Sequence, residues 1–330
     1  MMKKTKKGKI IVSAVLMIFV ISAAAMVFNN KNERVNENAN EGTPKRTSEH
    51  KHVTTNISFD HIHGLGYTND GNRLIVPAHD GLRIFEDERW KKSENAQHDY
   101  MGFSITDEGF FSSGHPAPDS DLKNPLGIVK SDELGAEIQT LTLYGEVDFH
   151  GMAAGYYSNA IYVMNPQPNS IMDRPGLFFS TDEAANWTNS SAKNVDGQAA
   201  SLAVHPKNEK SAAIGTDKGA FLSIDNGNQF EQVLSDAPVS ALSYTFDEKL
   251  LVGSMRGTAE LSILDLESLE VKEVEIPSIN EEEFITYIAA NPKNKDVIAY
   301  STSENNIYVS NDSGESWDPI AVKGKGVENK

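Results

Sequence analysis

No cysteine occurs among the 330 residues. That absence rules out disulfides, thiol nucleophiles, thiolate-held metals and a lipid-modified N-terminal cysteine together. A domain of this size buries enough core to fold without such staples on either side of a membrane. Positive charge is the second shortage: 30 Lys and Arg stand against 47 Asp and Glu, a formal net charge of -17. The five lysines Lys3, Lys4, Lys6, Lys7 and Lys9 crowd the N-terminus, so the remainder is more acidic still. This balance argues against a nucleic-acid partner.

Long apolar runs are also missing, with one exception. Residues 10–28 are apolar except for Ser13 and Ser22. Their length is close to the ~20 residues that cross hydrocarbon as a helix, and the preceding lysines are expected to stay cytoplasmic. Residues 1–28 therefore read as a transmembrane signal anchor or, if cleaved among the small residues 22–25, as a signal peptide. Residues 29–52 are Asn, Glu, Lys, Thr and Ser with scarcely an aliphatic side chain. They are too polar to offset the entropy of ordering and are expected to form a disordered tether. The expected location is the cell membrane, single-pass with the folded part outside, or the exterior if the signal is cleaved.

Beyond the tether the chain repeats. Gly176 to Asp182 followed by Trp187, Gly219 to Gly227 followed by Phe230, and Asn306 to Gly314 followed by Trp317 share a short β run and then Ser-x-Asp with a later aromatic residue. Gly stands two residues after the Asp in the last two copies. A weaker copy holds Gly127, Ser131, Glu133, Gly135 and Ile138. The serines at 131, 180, 223 and 310 are 49, 43 and 87 residues apart, and the doubled last interval implies an unmarked unit. In each copy the carboxylate is expected to hold a hairpin turn, the glycine to relieve its backbone, and the aromatic residue to pack back on its sheet. Ser180, Asp182, Trp187, Ser223, Asp225, Gly227, Phe230, Ser310, Asp312, Gly314 and Trp317 are thus structural candidates. A period of 40 to 50 residues predicts an all-β, six-bladed propeller over residues 53–324, with a flexible tail at 325–330. The blades are expected at 57–96, 97–145, 146–195, 196–236, 237–278 and 279–324.

These turns resemble the Asp-box, or BNR, repeat of sialidases, sortilin-type propellers and photosystem assembly factors. The whole arrangement, with an N-terminal anchor and His61-Ile62-His63-Gly64-Leu65 opening the array, resembles a bacillar membrane-anchored family labelled glycosylhydrolase or sortilin-like. The resemblance implies the propeller fold and brings no catalytic residue with it, because the repeat's Asp organises a turn. Sialidase chemistry would also need three arginines converging on a substrate carboxylate. Of Arg73, Arg83, Arg89, Arg174 and Arg256, only Arg174 and Arg256 fall near strand ends that face the centre.

The histidines are unevenly spread. Six of the nine, His61, His63, His79, His98, His115 and His150, fall in the first three blades, and only His205 follows. Strand direction predicts that His61, His63, His79, His115 and His150 gather at one mouth of the channel, with Met101 and Met152 entering beside them. Imidazoles without thiolates suit Zn, Cu, Ni or Fe, a neighbouring Met favours Cu(I), and Asp60 or Asp148 offers a harder ligand. His205 precedes Pro206 in a turn on the other face and reads as structural. Loops 116–126 and 165–175 extend the histidine-bearing face of blades two and three, where binding function is commonly carried. Glu281 to Glu283 and the acidic run 267–275 read as solvated surface. The leading reading is a propeller that binds an extracellular ligand or membrane protein with Arg174, Arg256, Met101 and Met152, and that holds a Cu or Zn ion among His61, His63, His79, His115 and His150. A glycoside hydrolase using Asp60, Asp80, Asp99 and Asp148, and a structural subunit of a membrane complex, remain alternatives.

Overall fold

The computed structural model describes residues 52–329 apart from Ala96 and Glu133. The expected anchor at 1–28, residues 29–51 of the expected tether and the Glu133 position of the weak repeat copy lie outside the described residues, while the tether's last residue, His52, begins a strand. All regular structure described is β-strand, arranged as six sheets. Five sheets are four-stranded antiparallel meanders: 66–92, 99–142, 152–189, 199–235 and 239–274. The sixth holds six strands. This is a six-bladed propeller, with blades at the positions the repeat spacing predicts.

The strand sequences explain their places. Second strands such as Leu74–Ala78, Ile161–Asn165, Ala212–Thr216 and Ile298–Thr302 are buried at every residue, because both of their faces meet a neighbouring blade. Outermost strands are more polar: in Arg89–Lys92 only Trp90 is buried. Six apolar clusters close the six seams. Tyr100 and Phe110 of blade two meet Ile75 and Leu82 of blade one, Phe111 and Ile128 meet Ile161 and Phe178 across the next seam, and Leu74 and Trp90 of blade one meet Ile307 and Ile320 of blade six. Each large apolar side chain buried this way contributes roughly 1.5–3 kcal/mol, so the seams dominate stability.

The repeated turns are built alike. Ser180 Oγ, Ser223 Oγ and Ser310 Oγ accept the backbone N–H of Ala184, Gly227 and Gly314 at 2.9, 3.0 and 2.8 Å. The Oδ1 atoms of Asp182, Asp225 and Asp312 accept those of Asn186, Gln229 and Ser316 at 2.8, 2.9 and 2.8 Å. Ser131 accepts Gly135 N–H at 2.8 Å in the weak copy. Gly227 and Gly314 take φ of 74° and 88°, where Gly avoids the cost a side chain pays, and Ala184 takes 67° in their place. The aromatic residues pack back on their own sheets, Phe230 with Ile214 and Phe221 and Trp317 with Tyr300 at a ring separation of 4.8 Å, and reach the previous blade as well: Phe230 packs with Tyr162 and Leu177 of blade three, and Trp317 meets Val274 of blade five while its Nε1 donates to Glu275 O at 2.9 Å. Trp187 packs against the cluster joining blades two and three.

Ring closure uses both ends of the domain. In the sixth sheet Asp318–Val322 is followed by Lys325–Asn329, and His52–Ser58 pairs antiparallel outside that last strand. Residues 325–329 are thus a strand, where a tail was expected. A tight turn at Lys323-Gly324 folds them back, Val327 is buried, and Glu328 accepts the Trp90 N–H at 2.8 Å. Glu283 also departs from the surface reading: it is 3% exposed and accepts from Asn306 Nδ2 at 2.6 Å.

Candidate metal centre at the channel mouth

In each antiparallel blade the inner strand starts, and the second strand ends, at the same face of the disc. His63 is placed just ahead of the inner strand of blade one, where its N–H donates to Pro77 O at 3.1 Å. His79 follows the second strand of that blade, Leu74–Ala78. Asp99 starts the inner strand of blade two, Asp99–Ile105, and pairs across it with His115, the last residue of Phe110–His115. Asp148 and His150 lead into the inner strand of blade three, Met152–Ala154.

These placements bring side chains together across the seams. His63 Nε2 lies 3.3 Å from His79 Nδ1 and 3.4 Å from Asp99 Oδ1, and His79 Nδ1 lies 3.1 Å from Asp99 Oδ2. One donor atom from each of His63, His79 and Asp99 fits within 4.8 Å of the others. His61 is adjacent, its ring centroid 4.9 Å from that of His79 and 6.2 Å from that of His63. On the next seam His115 Nε2 and His150 Nε2 lie 3.3 and 2.7 Å from Asp148 Oδ2. All five histidines singled out in the sequence thus belong to one mouth.

Electrostatics separate them. Burial drives His63 down to about 4, against the pull of Asp99 and aided by His79, His61 and His150. It is therefore neutral at physiological pH and keeps a lone pair for a metal. The hydrogen bond to Asp148 holds His150 above its ordinary value despite partial burial. Asp99 Oδ1 and Asp148 Oδ1 are buried without a hydrogen-bond partner. Gly114 keeps this corner open: at φ +113° its Cβ would stand 2.0 Å from Asp99 O.

Other candidates go elsewhere. Met152 is 6% exposed inside the core between blades two and three, so it is removed from the ligand-facing set. Met101 is half-buried on the inner strand of blade two. Arg174 and Arg256 lie in links on the mouth face, paired locally with Asp173 at 2.6 Å and Glu260 at 3.5 Å. His98 is buried and its Nδ1 accepts Ala117 N–H at 2.9 Å, pinning the start of the long loop. His205 Nδ1 accepts Lys207 and Asn208 N–H at 3.1 and 3.0 Å, a structural role on the far face. The long loops are pinned too, through the buried Leu126 and Met172. Among the carboxylates weighed for hydrolysis, Asp60 is exposed, Asp80 is held by Arg83 and Lys92, and Asp99 and Asp148 are each flanked by two imidazoles.

Asp99 was weighed in sequence only as a hydrolytic carboxylate. A signal for its true neighbourhood exists in register. His61-Ile62-His63-Gly64-Leu65, Asp99-Tyr100-Met101-Gly102-Phe103 and Asp148-Phe149-His150-Gly151-Met152 are the same five positions in blades one, two and three. The second position is buried in every copy, at Ile62, Tyr100 and Phe149. Blade two carries a bulge after Met101, and blades four to six bulge at the matching point.

No protein-family model matches the chain, and no curated protein does. Solved structures share the architecture. A GH74 enzyme from Niastella koreensis superposes with a TM-score of 0.54 at 12% identity, over 81% of this chain and 46% of that one. A GH74 xyloglucanase from Xanthomonas campestris gives 0.49 at 13%, over 83% and 47%. A structure of YCF48 bound to D1 peptide gives 0.48 at 12%, over 83% and 84%. The chain spans about half the length of the two GH74 structures, and at these identities the likeness is one of fold.

Proposed function

We propose that this chain is an extracytoplasmic, membrane-tethered propeller that binds a ligand or partner protein at its histidine-bearing mouth, through a transition-metal ion held by His63, His79 and Asp99. The observation that carries the reading is the size of the donor triangle. With metal–ligand bonds of ~2.0–2.1 Å, a tetrahedral site has edges of about 3.3–3.4 Å. Here His63 Nε2 stands 3.3 Å from His79 Nδ1 and 3.4 Å from Asp99 Oδ1, His79 Nδ1 stands 3.1 Å from the other carboxylate oxygen, Oδ2, and one donor atom from each residue fits within 4.8 Å of the other two. Three protein donors leave one tetrahedral position for His61 or for a donor atom from the bound molecule, the arrangement that open metal sites use. The tether reading rests on the Lys-flanked run at 10–28, and the Asp-box reading on the shared Ser and Asp hydrogen bonds of the turns.

Full-length protein, stripped of metal and titrated with Zn2+ and then Cu2+ by calorimetry, tests the site. Saturable binding that falls by one ion per chain in the His63→Ala, His79→Ala double variant is expected; absence of saturable heat from the parent contradicts the metal reading. Protease added to intact cells is expected to remove the propeller, and full protection behind a sealed membrane contradicts the external location.

A further inference from the structure

We infer that the mouth takes a second transition-metal ion, at the seam between blades two and three, bound by His115 and Asp148. The inference rests on the proposed reading of the first seam for its chemistry, and on separate atoms for its geometry. A rotation by one blade carries His79 to His115, since both end a second strand, and Asp99 to Asp148, since both occupy the first of the five repeated opening positions. The paired distances agree: 3.1 Å from His79 Nδ1 to Asp99 Oδ2, and 3.3 Å from His115 Nε2 to Asp148 Oδ2. The two aspartates also share an unusual feature, a buried Oδ1 with no hydrogen-bond partner.

The tautomer of His115 strengthens the case. Its Nδ1 lies 2.6 Å from Asn124 Oδ1. An amide oxygen only accepts, so Nδ1 carries the hydrogen and Nε2 of the neutral ring carries the lone pair. That lone pair faces a carboxylate oxygen 3.3 Å away, an arrangement that either a metal ion between them or a second proton on the ring relieves. Asn124 sits in the long loop of blade two, so the loop presents His115 to the seam and orients it through Nδ1, as a hydrogen-bond acceptor behind the ring orients a metal-bound imidazole. His150 Nε2 is hydrogen-bonded to the same carboxylate oxygen at 2.7 Å and fixes Asp148 in place.

The two seams differ in their third donor. At the register position of His63, blade two carries Met101. Imidazole nitrogen, carboxylate oxygen and a nearby thioether suit copper, which also heads the affinity order of the divalent first-row ions. Because Asp99 and His115 are direct cross-strand partners, whose Cα atoms lie ~5 Å apart in such pairs, the two ions would be close neighbours.

The experiment counts copper. Full-length protein carrying His50→Ala and His52→Ala, so that the two histidines ahead of the blades add no binding, is stripped, loaded with excess Cu2+, desalted and analysed for metal per chain, with an electron paramagnetic resonance spectrum of each sample. Two coppers with a dipole-broadened spectrum are expected. Adding His115→Ala is expected to leave one copper and a sharp spectrum at unchanged circular dichroism; adding His63→Ala and His79→Ala instead is expected to leave the other. A single copper in the reference chain, lost with the His63 and His79 pair and indifferent to His115→Ala, overturns the second site and leaves the proposed function standing. A single copper lost with His115→Ala alone overturns the first-seam reading as well as the count, and no copper overturns both. The count on the reference chain decides the matter even where a variant fails to fold.

Discussion

Blades one to three and blades four to six are the same scaffold with different strand ends. In the first half-ring the side chains at the mouth reach across seams, His79 to Asp99 and His115 to Asp148. In the second, side chains at strand ends hold backbone groups: Asp217 Oδ1 accepts Gln198 N–H at 2.6 Å in blade four, Ser303 Oγ accepts Phe284 N–H at 3.2 Å in blade six, and Asn305 Nδ2 donates to Asp60 O at 3.1 Å. The apolar seams beneath are alike in both halves. A blade's stability therefore comes from its buried middle, and its chemistry is set by two or three residues where strands begin and end.

The sharpest way to break this division is to damage each half separately. Trp317→Ala removes a 6%-exposed ring wedged between blades five and six together with its hydrogen bond to Glu275 O. It is expected to cost about 3–5 kcal/mol in denaturant unfolding while leaving metal binding by the remaining folded protein intact. His115→Ala, at a solvent-facing strand end, is expected to stay within about 1 kcal/mol of the parent. Equal losses from the two variants would erase the distinction.

A smaller contrast lies inside the scaffold. Gly314→Ala places a Cβ 2.3 Å from Val274 Cγ1 at φ +88°. It is expected to cost about 1–3 kcal/mol by thermal or chemical denaturation. Ala184 already occupies the matching position at φ 67°. Ala184→Gly trades that backbone strain against a lost buried methyl group and greater unfolded-state freedom, so a change under about 1 kcal/mol is expected.

Much of this scaffold was legible in the sequence, because a four-stranded blade must repeat its turn chemistry at every copy. Ser131, Ser180, Ser223 and Ser310 marked the count, and strand direction alone brought the five histidines to one face. What escaped had weak local signals. Lys325 to Asn329 has one aliphatic residue and becomes a strand by pairing between Asp318–Val322 and His52–Ser58, with Trp90 of blade one against it. Glu283 is camouflaged by Glu281 and Glu282, and its burial depends on Asn306, far away in sequence. Phe230 and Trp317 follow their turns and pack on their own sheets as a hairpin reading expects, but only the ring geometry reveals that each also fills the seam to the previous blade. Asp99 needed the register of the five opening positions before it could be matched with Asp148.

The smallest expected effect is the pH dependence of metal-free protein. His63 has an ordinary value of 6.5 and a folded value near 4. The unfolded chain takes up a proton that the folded one refuses, so its contribution is full above pH 6.5 and is lost as pH falls toward about 4. His150 is shifted upward, so its contribution is full below 6.5 and is lost as pH rises through its folded value. The turn carboxylates Asp182, Asp225 and Asp312 are held below the usual 3.8 by their hydrogen bonds to the turns, against partial burial at Asp312, and matter only in stronger acid. His63→Gln is expected to flatten the stability curve between pH 6.5 and 4 in denaturant titrations; an unchanged slope would place the acid sensitivity elsewhere.

The central claim is that His63, His79 and Asp99 share one ion. Anomalous diffraction from crystals grown metal-free and then soaked in Zn2+ tests it most directly. A peak within ~2.0–2.2 Å of His63 Nε2, His79 Nδ1 and an Asp99 carboxylate oxygen is predicted. A zinc-soaked crystal with no peak between these three side chains would contradict it.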